Sequence, residues 1–216
     1  MFARLLAAFC LVNLAVVPAR ASQLVVYLRA QTAQPAQTID VMKRELAPLL
    51  APAGYRVEWG KADIPAQSLV VLELRGTCGM PAGAFRSDDP DPKDLASSAS
   101  SGDSVLPFSS INCAGLTRML APAMAAEPGA RRDYLYGRAM ARLFAHELYH
   151  ILANTRGHER DGLAKAHFTL SDLMAESLEF DRNAFAKLDV GMELPLHSLT
   201  VAAPITQLPA RFPGDR

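Results

Sequence analysis

The alternation of hydrophobic and polar positions in the first third of the chain predicts a strand, a helix and two further strands. Residues 23–29 are rich in β-branched and aromatic side chains, as in a strand, and residues 35–50 carry apolar side chains at helical spacing. After Gly54, apolar and polar residues alternate over 55–59, and 68–74 form a mostly apolar run typical of a buried strand. The predicted order is therefore β-α-β-β.

The next part of the chain is predicted to be a long loop followed by an edge strand. Residues 81–104 combine Pro, Gly and a Ser-rich run with few apolar side chains, which predicts a long surface loop. Residues 105–111 resemble a strand, but Pro107 has no backbone N–H to donate. We therefore expect this strand at a sheet edge.

The second half of the chain is predicted to be mainly helical. A weak helix is expected over 114–124, and a long one over about 132–153. Residues 162–182 predict at least one more helix, with Ser171 as a plausible N-cap. The residues from 191 to 216 are rich in Pro and predict an irregular tail.

The first 21 residues have the pattern of a signal peptide. Arg4 precedes an apolar stretch, residues 5–17, that is too short to span a bilayer comfortably, and Ala19-Arg20-Ala21 forms an A-x-A cleavage signature. The sequence thus predicts an exported protein, periplasmic or secreted. Its organisation would be a signal peptide (1–21), one domain (22–190) and a tail (191–216).

Charge and hydropathy narrow the range of partners. Lys and Arg total 22, as do Asp and Glu, and loss of the predicted signal peptide would leave a slight acidic excess. This balance gives no indication of a nucleic-acid partner. After Ser22 no apolar run approaches a membrane-spanning length, so we expect no membrane association of the mature form.

Cleavage would also remove Cys10 and leave Cys78 and Cys113. An even pair of cysteines in an oxidising compartment favours a disulfide. Two alternatives remain open: two free buried thiols, or Cys78 as a removable thiolate ligand that blocks a metal.

The strongest chemical signal is the HExxH motif formed by His146, Glu147 and His150. On an α-helix, residues four apart lie about 40° apart and about 6 Å along the axis, so both imidazoles can reach one cation. Glu147 is offset by about 60° from His150, which suits contact with a metal-bound water rather than coordination. The motif predicts zinc ligands at His146 and His150, with Glu147 as general base.

The motif and the elements before it resemble those of the zincin metallopeptidases, over about residues 23–158. The resemblance implies an α+β, zincin-like fold: a small mixed sheet, an active-site helix and a short C-terminal subdomain. It also implies one catalytic Zn²⁺ and a peptide or protein substrate that pairs with the edge strand, predicted here at 105–111.

A catalytic zinc normally has three protein ligands, so one more is required. Metzincins, one zincin branch, use HExxHxxGxxH, but Ala153 stands at the glycine position here and Arg156 at the third histidine position. The chain has His158 two residues later. Asn154 can adopt the left-handed conformation that ends a helix, and Gly157 permits another sharp turn, so His158 is the favoured third ligand.

Other residues remain candidates for this role and for supporting ones. Glu176 would be the third ligand if the protein followed the gluzincin pattern, and His167 and Asp161 are weaker alternatives. A hydroxyl or imidazole could stabilise a tetrahedral oxyanion, and a carboxylate could orient a ligating histidine. The oxyanion candidates are Tyr134, Tyr136, Tyr149 and His167, and the orienting candidates are Asp161, Glu159 and Asp172. Met174 fits a helical apolar stripe and is predicted to belong to the core.

The sequence as a whole predicts an exported zinc peptidase that hydrolyses peptide bonds through a metal-activated water. The alternative is a non-catalytic, disulfide-stabilised extracytoplasmic binding domain that retains the helix without turnover.

Overall fold

The computed structural model describes residues 21–60, 69–81 and 94–191, so the predicted signal peptide and almost all of the predicted tail lie outside the described residues. The strands are β1 (Ser22–Ala30), β2 (Tyr55–Trp59), β3 (Leu69–Arg75), β4 (Ala96–Ser101) and β5 (Ser104–Asn112). The helices are α1 (Ala36–Leu50), α2 (Cys113–Met124), α3 (Gly129–Leu152), α4 (Leu170–Met174) and α5 (Arg182–Gly191). None of the helices in these ranges is long and apolar enough to cross a membrane.

The five strands form one mixed sheet in the order β2-β1-β3-β5-β4. β1 pairs in parallel with β2 and β3, and β3 pairs in parallel with β5. β4 is antiparallel to β5 and forms one edge. The predicted β-α-β-β order and the α+β class with a small mixed sheet are confirmed.

Two sequence predictions about the sheet edge are wrong. The segment predicted as a continuous loop contains β4, and β5 is an interior strand because it pairs with both β3 and β4. Pro107 is tolerated in β5 because pairing with β3 begins only at Phe108, and the pairing with β4 shifts register between Ser98 and Ser100. The ladder therefore has no need of an N–H at this position.

The inner face of the sheet packs against α1 and α3. Its apolar side chains, Leu24, Val26, Val70, Leu72, Leu74 and Ile111, are buried in the main core. The two helices approach each other closely at Gly137, where an added Cβ would lie 2.6 Å from both the Thr38 carbonyl oxygen and the Val41 Cβ. Glycine at this position lets α3 lie against α1.

Most of α3 is buried, from Leu135 to its end at Leu152. This burial includes a stripe of polar side chains at four-residue intervals, Arg138, Arg142, His146 and His150. Buried polar groups require partners, and each member of this stripe has them in the segments that follow α3.

The C-terminal subdomain is built against this helix. Thr169, rather than the predicted Ser171, caps α4 through a capping box with Asp172. Arg142 donates to the carbonyls of Asp172, Leu173 and Ala175 at 2.7–3.0 Å. These carbonyl oxygens at the C-terminal end of α4 thereby gain hydrogen-bond partners.

A disulfide joins Cys78, after β3, to Cys113 at the start of α2, as predicted. Both residues are fully buried. Neither alternative holds: the thiols are not free, and Cys78 is not available as a metal ligand. The hydroxyl of Tyr136 donates to the Cys113 carbonyl at 2.9 Å, which links this bridge to α3.

Candidate metal centre

His146 and His150 project from one side of α3, and their Nε2 atoms lie 3.0 Å apart. The Nδ1 atom of His146 lies 2.8 Å from the Leu163 carbonyl oxygen, and that of His150 lies 2.8 Å from the Thr155 carbonyl oxygen. A carbonyl can only accept, so each Nδ1 carries a proton and each Nε2 presents its lone pair. Backbone carbonyls of the segment after α3 thereby set the orientation of both rings.

This arrangement fits a metal cation. Two lone pairs that face each other at 3.0 Å repel unless a positive charge lies between them. Burial lowers the pKa of His146 to about 4, with the Leu163 carbonyl opposing and the nearby His150 and His158 adding to the shift. Burial also lowers the pKa of His150. At neutral pH both rings are therefore in the uncharged form that coordinates metals.

The structure brings His158 to the same point. Its ring centroid is 5.3 Å from that of His146 and 4.8 Å from that of His150, and the ligand nitrogens of the three residues lie within 4.8 Å of one another. In the described ranges they are the only group of three or more potential ligands. His158 is the exposed member, so the cluster opens to solvent on its side.

The path from α3 to His158 was predicted in part. Asn154 has a φ of 44°, the left-handed conformation expected of it. The side-chain oxygen Oδ1 of Asn154 accepts a hydrogen bond of 2.8 Å from the backbone N–H of Val105, which fixes the turn. Gly157, by contrast, does not have a positive φ, and its N–H donates to the Thr155 hydroxyl at 3.1 Å.

The other predicted ligands lie outside this cluster. Glu176 lines a separate groove with Glu45, Arg138 and Arg142, at the arginine end of the buried stripe. His167 is exposed and lies near enough to lower the pKa of His158, although burial is the larger cause of that shift. Asp161 is exposed and is not part of the group.

Glu147 lies beside the histidine pair and is 4% exposed. Burial raises the pKa of its carboxyl to about 7; the hydrogen bond from Ser98 opposes this rise, and the charge of Asp94 adds to it. The Ser98 hydroxyl donates to Glu147 Oε2 at 2.6 Å. A carboxyl with a pKa near neutrality can both accept and return a proton.

The loop that carries His158 is anchored to both flanking helices. Glu159 accepts a hydrogen bond of 2.7 Å from the Tyr149 hydroxyl of α3 and forms an ion pair with Lys187 of α5. The rings of His146 and His150 are oriented by backbone carbonyls, whereas Glu159 pairs with Lys187 and Asp172 pairs with Lys165.

The three tyrosines considered as oxyanion stabilisers all have other partners. Tyr134 bonds to Arg138, Tyr136 to Thr117 and the Cys113 carbonyl, and Tyr149 to Glu159. Met174 is partly buried against the core, as predicted.

Sequence reasoning missed Ser98 and the two buried arginines of α3. Ser98 lay in the segment predicted as a loop, and a serine there gives no sign that it faces a carboxylate. The arginines did leave a signal, because Arg138, Arg142, His146 and His150 recur at four-residue intervals.

This protein resembles known proteins in structure rather than in sequence. An archaemetzincin from Methanopyrus kandleri superposes with a TM-score of 0.51 at 14% identity, over 83% of this chain and 100% of that one. No family model matches the sequence, and no curated protein is significantly similar to it. At this identity the comparison shows the fold, an α+β zincin-like fold, which confirms the fold class predicted from the motif.

Proposed function

We propose that this protein is a zinc peptidase with a single catalytic metal, held by His146, His150 and His158, and with Glu147 as general base. One observation carries the proposal: three imidazole nitrogens lie within 4.8 Å of one another beside a buried carboxylate. The structural neighbour is named as an archaemetzincin, and its name agrees with the metzincin-like character of this site.

The donor set favours zinc in a catalytic rather than a structural site. Three neutral nitrogens suit Zn²⁺, and structural zinc sites use four protein ligands, whereas catalytic sites keep a fourth position open. The fourth position here would face solvent on the side of the exposed His158.

When bound, zinc would polarise a substrate carbonyl and lower the pKa of a water molecule. Glu147 takes up the proton of the attacking water, for which its pKa of about 7 is suited. The same carboxyl then donates that proton to the amine of the departing product. His146 and His150 keep their Nδ1 protons throughout, held by the two backbone carbonyls.

An extended peptide is the substrate that the sheet can accept. β4 lies at the edge of the sheet, and no strand among the described residues pairs with its outer side, where an extended peptide could add. Ser98 of β4 donates a hydrogen bond to Glu147, the proposed base, which supports a role for this edge in substrate binding. We therefore assign to β4 the substrate pairing that the sequence predicted for residues 105–111.

Zinc analysis and a Glu147→Gln variant test the proposal together. We expect about one zinc per chain in both proteins, and hydrolysis of a mixed peptide library only by the unmutated one. Hydrolysis that survives Glu147→Gln would reject the general-base role. Stoichiometric zinc with no hydrolysis of any peptide would favour the alternative, a non-catalytic binding domain.

We also propose that the protein is exported to the periplasm or beyond the cell. The signal-peptide pattern of residues 1–21 supports this, and the disulfide is the kind of bond that persists in oxidising compartments. Amino-terminal sequencing of the protein purified from its native host should begin at Ser22; a first residue of Met1 would reject export by this route.

A further inference from the structure

Ser98 is the one residue of the sheet edge whose side chain reaches the proposed catalytic base. Its hydroxyl lies 2.6 Å from Glu147 Oε2 and 3.3 Å from the backbone carbonyl oxygen of the same residue. A length of 2.6 Å is typical of a charge-assisted O–H···O⁻ hydrogen bond. Within the described ranges, no other side chain donates to this carboxylate.

The strand register explains why Ser98 alone makes this contact. Ser98 is opposite Ser109 on β5, and both face inwards, on the same side as Leu72 of β3. Ser97 faces the other side, where its hydroxyl lies 3.1 Å from that of Ser110. A shift of β4 by one residue would turn Ser98 away from Glu147.

A buried carboxylate with a single donor has one oxygen held and one free. Oε2 is occupied by Ser98, so Oε1 is the oxygen that no side chain in the described ranges holds. Because Glu147 has three side-chain torsions, this hydrogen bond restricts a group that would otherwise sample several rotamers. Displacement of a catalytic group by even one ångström can lower the rate by about 100-fold.

We propose that Ser98 is a positioning residue that fixes the carboxylate of Glu147 for proton transfer. It links the base to the strand on which the peptide lies. This inference rests on the proposed peptidase function and extends it, since it makes the placement of β4 part of the catalytic geometry. The hydrogen bond from Ser98 therefore couples the strand that would bind the substrate to the carboxylate that would act as base.

The test compares Ser98→Ala with Ser98→Thr and with two matched controls. Thr keeps the hydroxyl, so it should restore the function that Ala removes. Ser109→Ala removes the same atom from the neighbouring inward position, where the buried hydroxyl has no hydrogen-bond partner in the described part of the chain. Ser97→Ala removes a hydroxyl from the outer face of the same strand.

Steady-state kinetics on a cleavable peptide give the first measurement. We expect Ser98→Ala to lower kcat by about 10-fold or more, with KM and zinc content unchanged, as for loss of a hydrogen bond to a charged group. Ser98→Thr should keep most of the rate, and both controls should match the unmutated protein. A Ser98→Ala variant with the kcat of Ser109→Ala would overturn the inference while leaving the peptidase proposal intact.

Crystal structures of the zinc-free variants give a second measurement that requires no turnover. In Ser98→Ala the Glu147 carboxylate should leave its position or occupy more than one rotamer, whereas in Ser109→Ala it should stay in place. An ordered carboxylate in the original position in both variants would overturn the inference, whether or not the protein proves to be a peptidase.

Discussion

The hydroxyl of Tyr149 and the carboxylate of Glu159 are joined by a hydrogen bond of 2.7 Å. Tyr149 precedes one zinc-ligand candidate, His150, and Glu159 follows another, His158. The bond therefore connects the rigid helix to the exposed loop, and Lys187 of α5 secures the same carboxylate from the other side.

Glu159→Gln should weaken zinc binding while leaving the fold intact. The substitution removes the ion pair with Lys187 and weakens the bond to Tyr149, so His158 becomes less well placed. We expect a loss of zinc affinity on the order of 10-fold, the lower end for groups that orient ligands, measured by competition with a chelator. Glu127→Gln, in the connection between α2 and α3, is the matched control. Equal affinity in the two variants would show that this anchor is dispensable.

His158→Ala should weaken zinc binding far more than Glu176→Ala does. Removal of a direct ligand should cost more than about 100-fold in affinity, above the range for orienting groups. Glu176 lies in the groove near the arginines, so its loss should leave affinity unchanged. The reverse order of effects would assign the third ligand to Glu176.

The zinc-free protein should lose stability as the pH falls from about 6.5 towards 4. The folded-state pKa of His146 is depressed to about 4 by burial, so between these values the unfolded chain binds more protons than the folded one. A shift of this size corresponds to roughly 3 kcal/mol as an upper limit. Urea unfolding in EDTA across this range should show the decline. His146→Gln should flatten it, and an equally steep decline in that variant would assign the effect to other groups.

Gly137→Ala should destabilise the fold by about 1–3 kcal/mol, because the new methyl group would overlap with α1 and force α3 away from it. The added Cβ would meet Thr38 and Val41 at 2.6 Å. Gly129→Ala, at a helical position with no neighbouring atom within 4 Å, is the control and should change stability by less than about 0.5 kcal/mol. Thermal unfolding of both variants measures the difference; equal melting temperatures would mean that the helices can separate freely.

Loss of the disulfide should lower stability without loss of the fold. Cys78 and Cys113 are separated by 35 residues, and closure of a loop of that size contributes on the order of 3–4 kcal/mol. Denaturation of a Cys78→Ala/Cys113→Ala variant, compared with the oxidised protein, measures this contribution. A change below about 1 kcal/mol would show that packing of α2 alone holds this region together.

The sequence predicted best those parts of the fold that are determined by local periodicity. β1, α1, β2 and β3 begin and end within a residue or two of their predicted bounds, because each carries a clear helical or alternating pattern. The HExxH spacing likewise predicted the convergence of His146 and His150, which follows from helix geometry alone.

The parts that were missed depend on contacts between distant residues. β4 is a run of serine and alanine with no periodic signal, and it is a strand only because β5 supplies its hydrogen bonds. The edge position was assigned to the wrong strand for the same reason, since strand order is a property of the whole sheet. The contact of Ser98 with Glu147 spans 49 residues and could not be inferred before β4 was known.

The tip of the β4–β5 hairpin is tied to the turn that follows α3. Asn154 accepts from the Val105 N–H at 2.8 Å, and Arg156 donates to the carbonyl of Gly102. The same turn supplies the carbonyl that orients His150. The hairpin tip and the turn after α3 are thus joined at one end of β4. A peptide that paired along β4, as proposed, would therefore meet a fixed junction at the Ser101 end of the strand, and any widening of the site would have to occur towards Ala96.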